Sequence, residues 1–251
     1  MSGDALTMLR LGFDGPRLIE LARRRRLPAR DVDLGYVVHC ALGELFGAEA
    51  PKPFAITREQ GRVVEVLAYS QHTRDALHTT AQTFADPSLY DGLCHWASFA
   101  GKPMPEHFTA GQRLGFMVKV CPTVRPAKPG LHQESEAPEV DAFLAACRKV
   151  GPEVKVDRET VYREWFLGEI ARRGGATVEH VALERFQLER LTRRHQGADR
   201  KSESRDRPAA SFHGTLTITD PALFRATLAR GLGRHRAFGF GMLLLRPLTP
   251  R

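Results

Sequence analysis

The chain has 251 residues, 42% of them hydrophobic, which suits one large domain or two of roughly 100 residues and excludes a disordered chain. It has no run of about 18 apolar residues and no cationic cap followed by an apolar stretch, so neither a membrane span nor a signal peptide is expected and the protein reads as cytoplasmic. Four widely spaced cysteines (Cys40, Cys94, Cys121, Cys147) form no CxxC pair, which argues against structural zinc and against a disulfide scaffold.

The alternating stretch Met8–Phe13 predicts a first strand. A run of four arginines follows, Arg23 to Arg26. Asp33 then stands where an N-cap should, ahead of apolar positions 38, 41, 42, 45 and 46 at helical spacing. Phe54–Ile56 and Arg62–Tyr69 flank Glu59-Gln60-Gly61 as a hairpin. Arg74–Phe84 reads as a helix and Leu93–Phe99 as a short strand. The order is β-α-β-β-α-β, the ferredoxin-like plan.

A second copy follows. Gln112–Val120 alternates as a strand with one buried face, and the Pro-rich, charged stretch 122–138 reads as a loop. Val140–Lys149 and Val161–Arg173 are amphipathic helices. Val181–Leu191 and Phe212–Ile218 are strands, joined by an Arg-rich tip over Arg193–Pro208. Asp220-Pro221 opens a helix running to about Leu232, and Phe240–Leu245 closes the chain as a strand. The fold class is therefore α+β: two tandem ferredoxin-like (RRM-like) domains, 1–108 and 109–251, with a basic inserted finger.

Charge is unevenly placed. Arg185–Arg246 holds thirteen basic and five acidic residues, so this stretch alone carries the +8 that the whole chain shows. Thirty of the 37 basic residues are arginine, suited to bidentate phosphate contacts and to stacking on bases. The tip, with Arg193, Arg194, Arg200 and Lys201, reads either as a disordered surface loop or as a finger that orders on nucleic acid and neutralises phosphate charge. Gly231-Leu232-Gly233-Arg234-His235-Arg236-Ala237-Phe238-Gly239-Phe240-Gly241 lies between the last helix and the last strand. Its glycines allow backbone to approach a sugar-phosphate chain, and Arg234 and Arg236 supply charge. A dinucleotide-binding turn needs the opposite order, strand before and helix after.

Gly231–Gly241, together with Ala110–Phe116 and Phe212–Pro221, resembles the CRISPR-associated repeat-RNA endoribonucleases, specifically the CasE-type branch of the Cas-six family. The resemblance implies two ferredoxin-like domains and metal-independent cleavage at the 3′ base of a repeat hairpin, leaving 2′,3′-cyclic phosphate and 5′-hydroxyl ends. It also implies retention of the mature crRNA and partnership with other effector-complex subunits. Tyr36-Val37-Val38-His39 matches the family's Tyr-x-x-His. At i and i+3 both side chains share a helix face. His39 becomes the general acid or base, Tyr36 orients the reacting groups, and Arg23 and Arg26 are reserve candidates for charge stabilisation. RNA contacts fall to Arg24, Arg25, Arg193, Arg194, Arg200, Lys201, Gly231, Gly233, Arg234, His235, Arg236, Phe238 and Gly239. The Arg23–Arg26 run and the long tip depart from the commoner CasE pattern and leave a type IV CRISPR relative as an alternative. A non-catalytic subunit that holds guide RNA is the competing function, and the localised charge disfavours a small-molecule ligand.

Overall fold

The computed structural model describes residues 5–27, 32–125, 139–194 and 202–248. Two four-stranded antiparallel sheets carry the fold. The first comprises β1 (Thr7–Asp14), β2 (Phe54–Gln60), β3 (Val63–Ser70) and β4 (Ala100–Pro103), in the order β2-β3-β1-β4. The second sheet repeats that order. Its strands are β5 (Arg113–Val120), β8 (Ala176–Arg194), β9 (Ser202–Ile218) and β10 (Leu244–Pro247), arranged β10-β5-β9-β8. Both are the ferredoxin-like arrangement.

Alternation in β1 sends Leu9, Leu11 and Phe13 into a core with no exposed surface. Asp14 ends that strand and caps α1 (Gly15–Arg24), accepting from the Arg17 N–H at 3.0 Å, with Pro16 in the first turn. This helix buries Leu18, Leu21 and Ala22 and corrects the sequence reading, which left Arg23 and Arg24 outside any element. Next comes α2 (Leu34–Phe46), which buries Val37, Val38, Ala41, Leu42, Leu45 and Phe46 against the same core. The helices α3 (Arg74–Phe84) and α4 (Pro87–Leu93) complete this half. Leu93–Phe99 is not a strand. It is the end of α4, an isolated bridge from Cys94 to Phe13 of β1 and a 3-10 turn at Trp96–Ser98, and the β4 ladder with β1 begins at Ala100.

In the second half, β6 (Thr123–Val124) and β7 (Val140–Asp141) pair briefly before α5 (Ala142–Val150) and α6 (Arg158–Arg173). The core here holds Phe116, Phe166, Phe212 and Phe224, and Leu6 and Tyr69 reach into it from the first half. The Tyr69 hydroxyl donates to the Leu243 carbonyl at 2.9 Å. The finger also differs from expectation: β8 and β9 pair as far as Arg194 opposite Ser202, so most of the Arg193–Pro208 tip is ladder, not loop. Two register irregularities, at Val178/His180 and Leu183/Arg185, bend this ribbon. Finally, α7 (Pro221–Arg230) ends before the glycine-rich segment, which is irregular through Leu243 apart from a 3-10 turn at Arg236–Phe238; the closing strand starts later than expected, at Leu244.

Among the described residues no helix is long and apolar enough to cross a membrane.

Candidate functional site

The glycine-rich segment is a closed loop. The Leu232 N–H donates to the Gly241 carbonyl at 2.8 Å, pinning its base. The Gly241 N–H donates to the Lys119 carbonyl at 2.7 Å, tying it to β5. Gly231, Gly233, Gly239 and Gly241 all have positive φ, between 65° and 86°, which side-chain-bearing residues rarely adopt. His235 shares that left-handed region at φ 60°.

This loop lays Phe238 on α2. The Phe238 ring stacks on Tyr36 with centroids 5.9 Å apart and planes 8° off parallel. It also meets His39 at 5.0 Å, while Tyr36 and His39 are 6.1 Å apart. The helix and loop approach so closely that any side chain at Gly35 would collide with the Phe238 carbonyl. So the structure unites two motifs from opposite ends of the chain, Tyr-x-x-His and the glycine loop. Burial, reinforced by the Lys52 charge, lowers His39 below the ordinary imidazole pKa, so it is neutral at pH 7.

Asp33 fixes α2 relative to the finger. One carboxylate oxygen accepts from the Tyr36 N–H at 2.9 Å as the N-cap, and the other from the Thr192 N–H of β8 at 2.8 Å. Burial pushes Asp33 above the usual carboxylate value against those two donors.

Beneath the loop sits a residue that sequence reasoning missed. Glu139 is buried and meets four cationic or potentially cationic groups: His235 at 2.9 Å, Arg234 at 3.1 Å, Arg125 at 3.5 Å and Arg207 at 3.6 Å. Arg207 also donates to the Glu139 carbonyl at 3.0 Å. A lone buried carboxylate would be costly; this one is compensated by four partners from three separate segments. His235, expected to face RNA, instead turns inward, its side chain 2% exposed. It shapes the loop and presents no ring at the surface.

The other expected residues are more dispersed. Arg234 and Arg236 stay on the loop, Arg236 donating to the Arg230 carbonyl at 2.5 Å. Arg24 pairs with Glu20 at 2.6 Å, and Arg25 pairs with Glu44 of α2. Arg23 and Arg26 are exposed at the end of α1, and neither joins the Tyr36–His39–Phe238 cluster. Arg193 and Arg194 lie in the β8–β9 ladder, opposite Glu203 and Ser202. Their side chains fall outside the described residues, as do Arg200 and Lys201. Among the described residues no three His, Cys, Asp or Glu side chains gather as a metal site.

Several solved structures share this fold. The chain is similar to CRISPR endoribonuclease Cse3 bound to a 19 nt RNA, at 19% identity and TM-score 0.64, over 97% of this chain and 100% of that one. It is similar to Thermus thermophilus Cse3 bound to an RNA representing a pre-cleavage complex, at 18% identity and TM-score 0.62, with the same coverage. It is also similar to Cas6e from Escherichia coli K-12, at 18% identity and TM-score 0.55, over 96% of this chain and 100% of that one. No curated protein sequence matches the chain. The family model described as CRISPR associated protein matches residues 17–247, nearly the whole sequence, and the chain is therefore a member of the CRISPR-associated protein family.

Proposed function

We propose that this protein is an endoribonuclease of CRISPR transcripts, binding the repeat hairpin and cutting at its 3′ base to yield mature crRNA. The observation that carries this reading is the seating of Phe238 of the glycine loop on Tyr36 and His39, which puts the neutral imidazole of α2 beside a loop that carries arginines. Two similar structures are of Cse3 with RNA, one representing a pre-cleavage complex, which supports the same substrate class.

In the proposed reaction the ribose 2′-oxygen attacks the adjacent phosphorus while His39 takes the hydroxyl proton. The phosphorus–5′-oxygen bond breaks, the departing oxygen takes a proton from solvent, and a 2′,3′-cyclic phosphate remains. Neutral His39 suits the role of base. Tyr36 orients the scissile phosphate by hydrogen bonding. Charge on the phosphorane is offset by Lys52, whose field already reaches His39; Arg23 and Arg26 lie away from the cluster. No step calls for a metal. Residues 1–108 supply the catalytic helix, and 109–251 the finger and glycine loop. The product stays bound and passes into an effector complex.

Phe238 also favours a second reading. Its ring covers part of His39, and a chain that kept it there would hold guide RNA without cutting it.

The common premise of both is selective RNA binding. At about 0.15 M salt, where long-range screening is strong, affinity for the folded repeat stem-loop should exceed that for an unfolded RNA of equal length, or for heparin, by roughly tenfold or more. Equal affinity for all three polyanions refutes both readings.

A further inference from the structure

The two halves border an open cleft of about 1440 Å³ whose lining includes Phe238. Its walls come from Ala48–Pro53 and Tyr69–His72 of the first half, and from α6, the end of α7 and the glycine loop of the second. Seven Lys and Arg side chains line it against three carboxylates. All three carboxylates are already engaged. Glu49 accepts from the Thr80 hydroxyl at 2.9 Å, and Glu139 holds the His235 cluster. Glu169 takes Arg172 through both oxygens at 2.6 Å and also accepts from the Gly233 N–H at 3.2 Å.

That leaves a concentration of positive charge where the ends of α6 and α7 meet the glycine loop. Arg173 from α6 sits among Arg172, Arg230 and Arg236, and its guanidinium is held below its usual pKa by burial and then by those three charges, which Glu169 only partly opposes. Its Nε is buried and has no hydrogen-bond partner among the described residues. An unpartnered buried donor within a like-charged cluster is unfavourable unless an anion completes it. Aromatic residues share the walls: Phe238, and Trp165, whose indole donates to the Thr123 carbonyl at 3.2 Å. Cationic groove with aromatic faces is the combination that tracks a single nucleic-acid strand, whereas a duplex offers its bases to neither.

We propose that Arg173, Arg230 and Arg236, with Arg172 at their edge, form a phosphate seat for the single-stranded RNA that runs on from the hairpin base past Phe238. This rests on the functional reading above and adds a second site to it. The catalytic helix acts on the hairpin base; the arginine seat holds the flanking strand and draws it through the cleft.

The test compares two RNAs, the repeat stem-loop blunt-ended and the same stem-loop carrying a short oligouridine tail at its 5′ or 3′ end. With the unmodified protein one tail should raise affinity. Arg173→Gln with Arg230→Gln should abolish that gain, bringing the tailed-to-blunt affinity ratio close to one. It should also reduce the salt dependence of tailed binding by about 1.4 in log–log slope, about 0.7 per lost phosphate contact. Arg230→Gln alone changes only an exposed side chain, leaving the carbonyl that accepts from Arg236 in place, and should lose part of the gain. This keeps the test valid if the double variant misfolds. A tail that adds nothing, or a gain that survives both variants, overturns the seat while leaving the hairpin reading intact. Failure to bind the blunt stem-loop at all overturns the functional reading itself.

Discussion

His39→Ala is expected to reduce cleavage of the repeat stem-loop by about 10²–10⁴-fold, the range for a positioned general base, while leaving stem-loop affinity nearly unchanged. Affinity survives because the cationic surfaces lie on the finger, the loop and the cleft, not on this ring. The pH dependence follows from the direction of its shift. Burial lowers the pKa in the folded protein, so His39 remains an unprotonated base to a pH below the ordinary imidazole value of 6.5. The acid limb of the rate profile should fall in that lower window, and His39→Ala should remove the limb along with the activity. Stability changes in the same window. The unfolded chain binds a proton there that the folded chain resists, so stability contributed by neutral His39 is complete above the ordinary value and declines as pH falls through the folded one. Single-turnover rates and affinities measured together check this. Full activity in His39→Ala would remove the residue from the chemistry. Loss of binding in parallel with loss of cutting would recast it as structural.

The largest stability effect is expected at Glu139. Removing one member of a buried ionic cluster strands the others, at about 3–5 kcal/mol. Arg234 is 43% exposed and can turn to solvent, but Arg207 at 14% and His235 at 2% cannot readily do so. At about 2–4 °C per kcal/mol for domains of this size, Glu139→Ala should lower Tm by roughly 10 °C. RNA selectivity should change as well. Loss of a buried negative charge strengthens general attraction to polyanions, while the released loop no longer seats Phe238 on α2. Affinity for heparin should rise as preference for the stem-loop shrinks. Glu139→Gln, which can still hydrogen-bond His235, should fall between the two proteins. Thermal unfolding and competition binding measure both effects; an unchanged Tm in Glu139→Ala would show that the cluster contributes no net stability.

Much of this architecture is legible in the sequence, where local signals and the fold agree. Asp33 marks the start of α2 because a carboxylate there can satisfy exposed helix N–H groups. Strand β5 is visible because its core-facing and solvent-facing residues alternate. The α1 helix was also encoded, by Pro16 after Asp14 and by Leu18, Leu21 and Ala22 at helical spacing, but the adjoining arginine run dominates that stretch. The finger's polar composition reads as a loop because its strands beyond β5 meet only a small buried cluster, Leu191 and Ala209 with Cys121 and Phe240, too little to impose an alternating pattern on the ladder.

The site divides in the same way. Tyr36 and His39 share a helix face at a spacing visible locally. What they meet is decided by tertiary packing, which brings Phe238 from the other end of the chain. Glu139 follows a charged, Pro-rich stretch and reveals its role only when Arg125, Arg207, Arg234 and His235 converge on it. Arg172, Arg173 and Arg230 sit in final helical turns, where cations are ordinary partners of the helix dipole, and their common cleft is invisible before folding.

The measurement that bears most directly on the account is incubation of the purified protein with repeat stem-loop RNA in excess EDTA, followed by analysis of the product ends. Cutting at the 3′ base of the hairpin, with a 2′,3′-cyclic phosphate and a 5′-hydroxyl, is the predicted result. Tight binding with intact RNA would contradict the catalytic role of the Tyr36–His39 helix, as would products bearing 5′-phosphates.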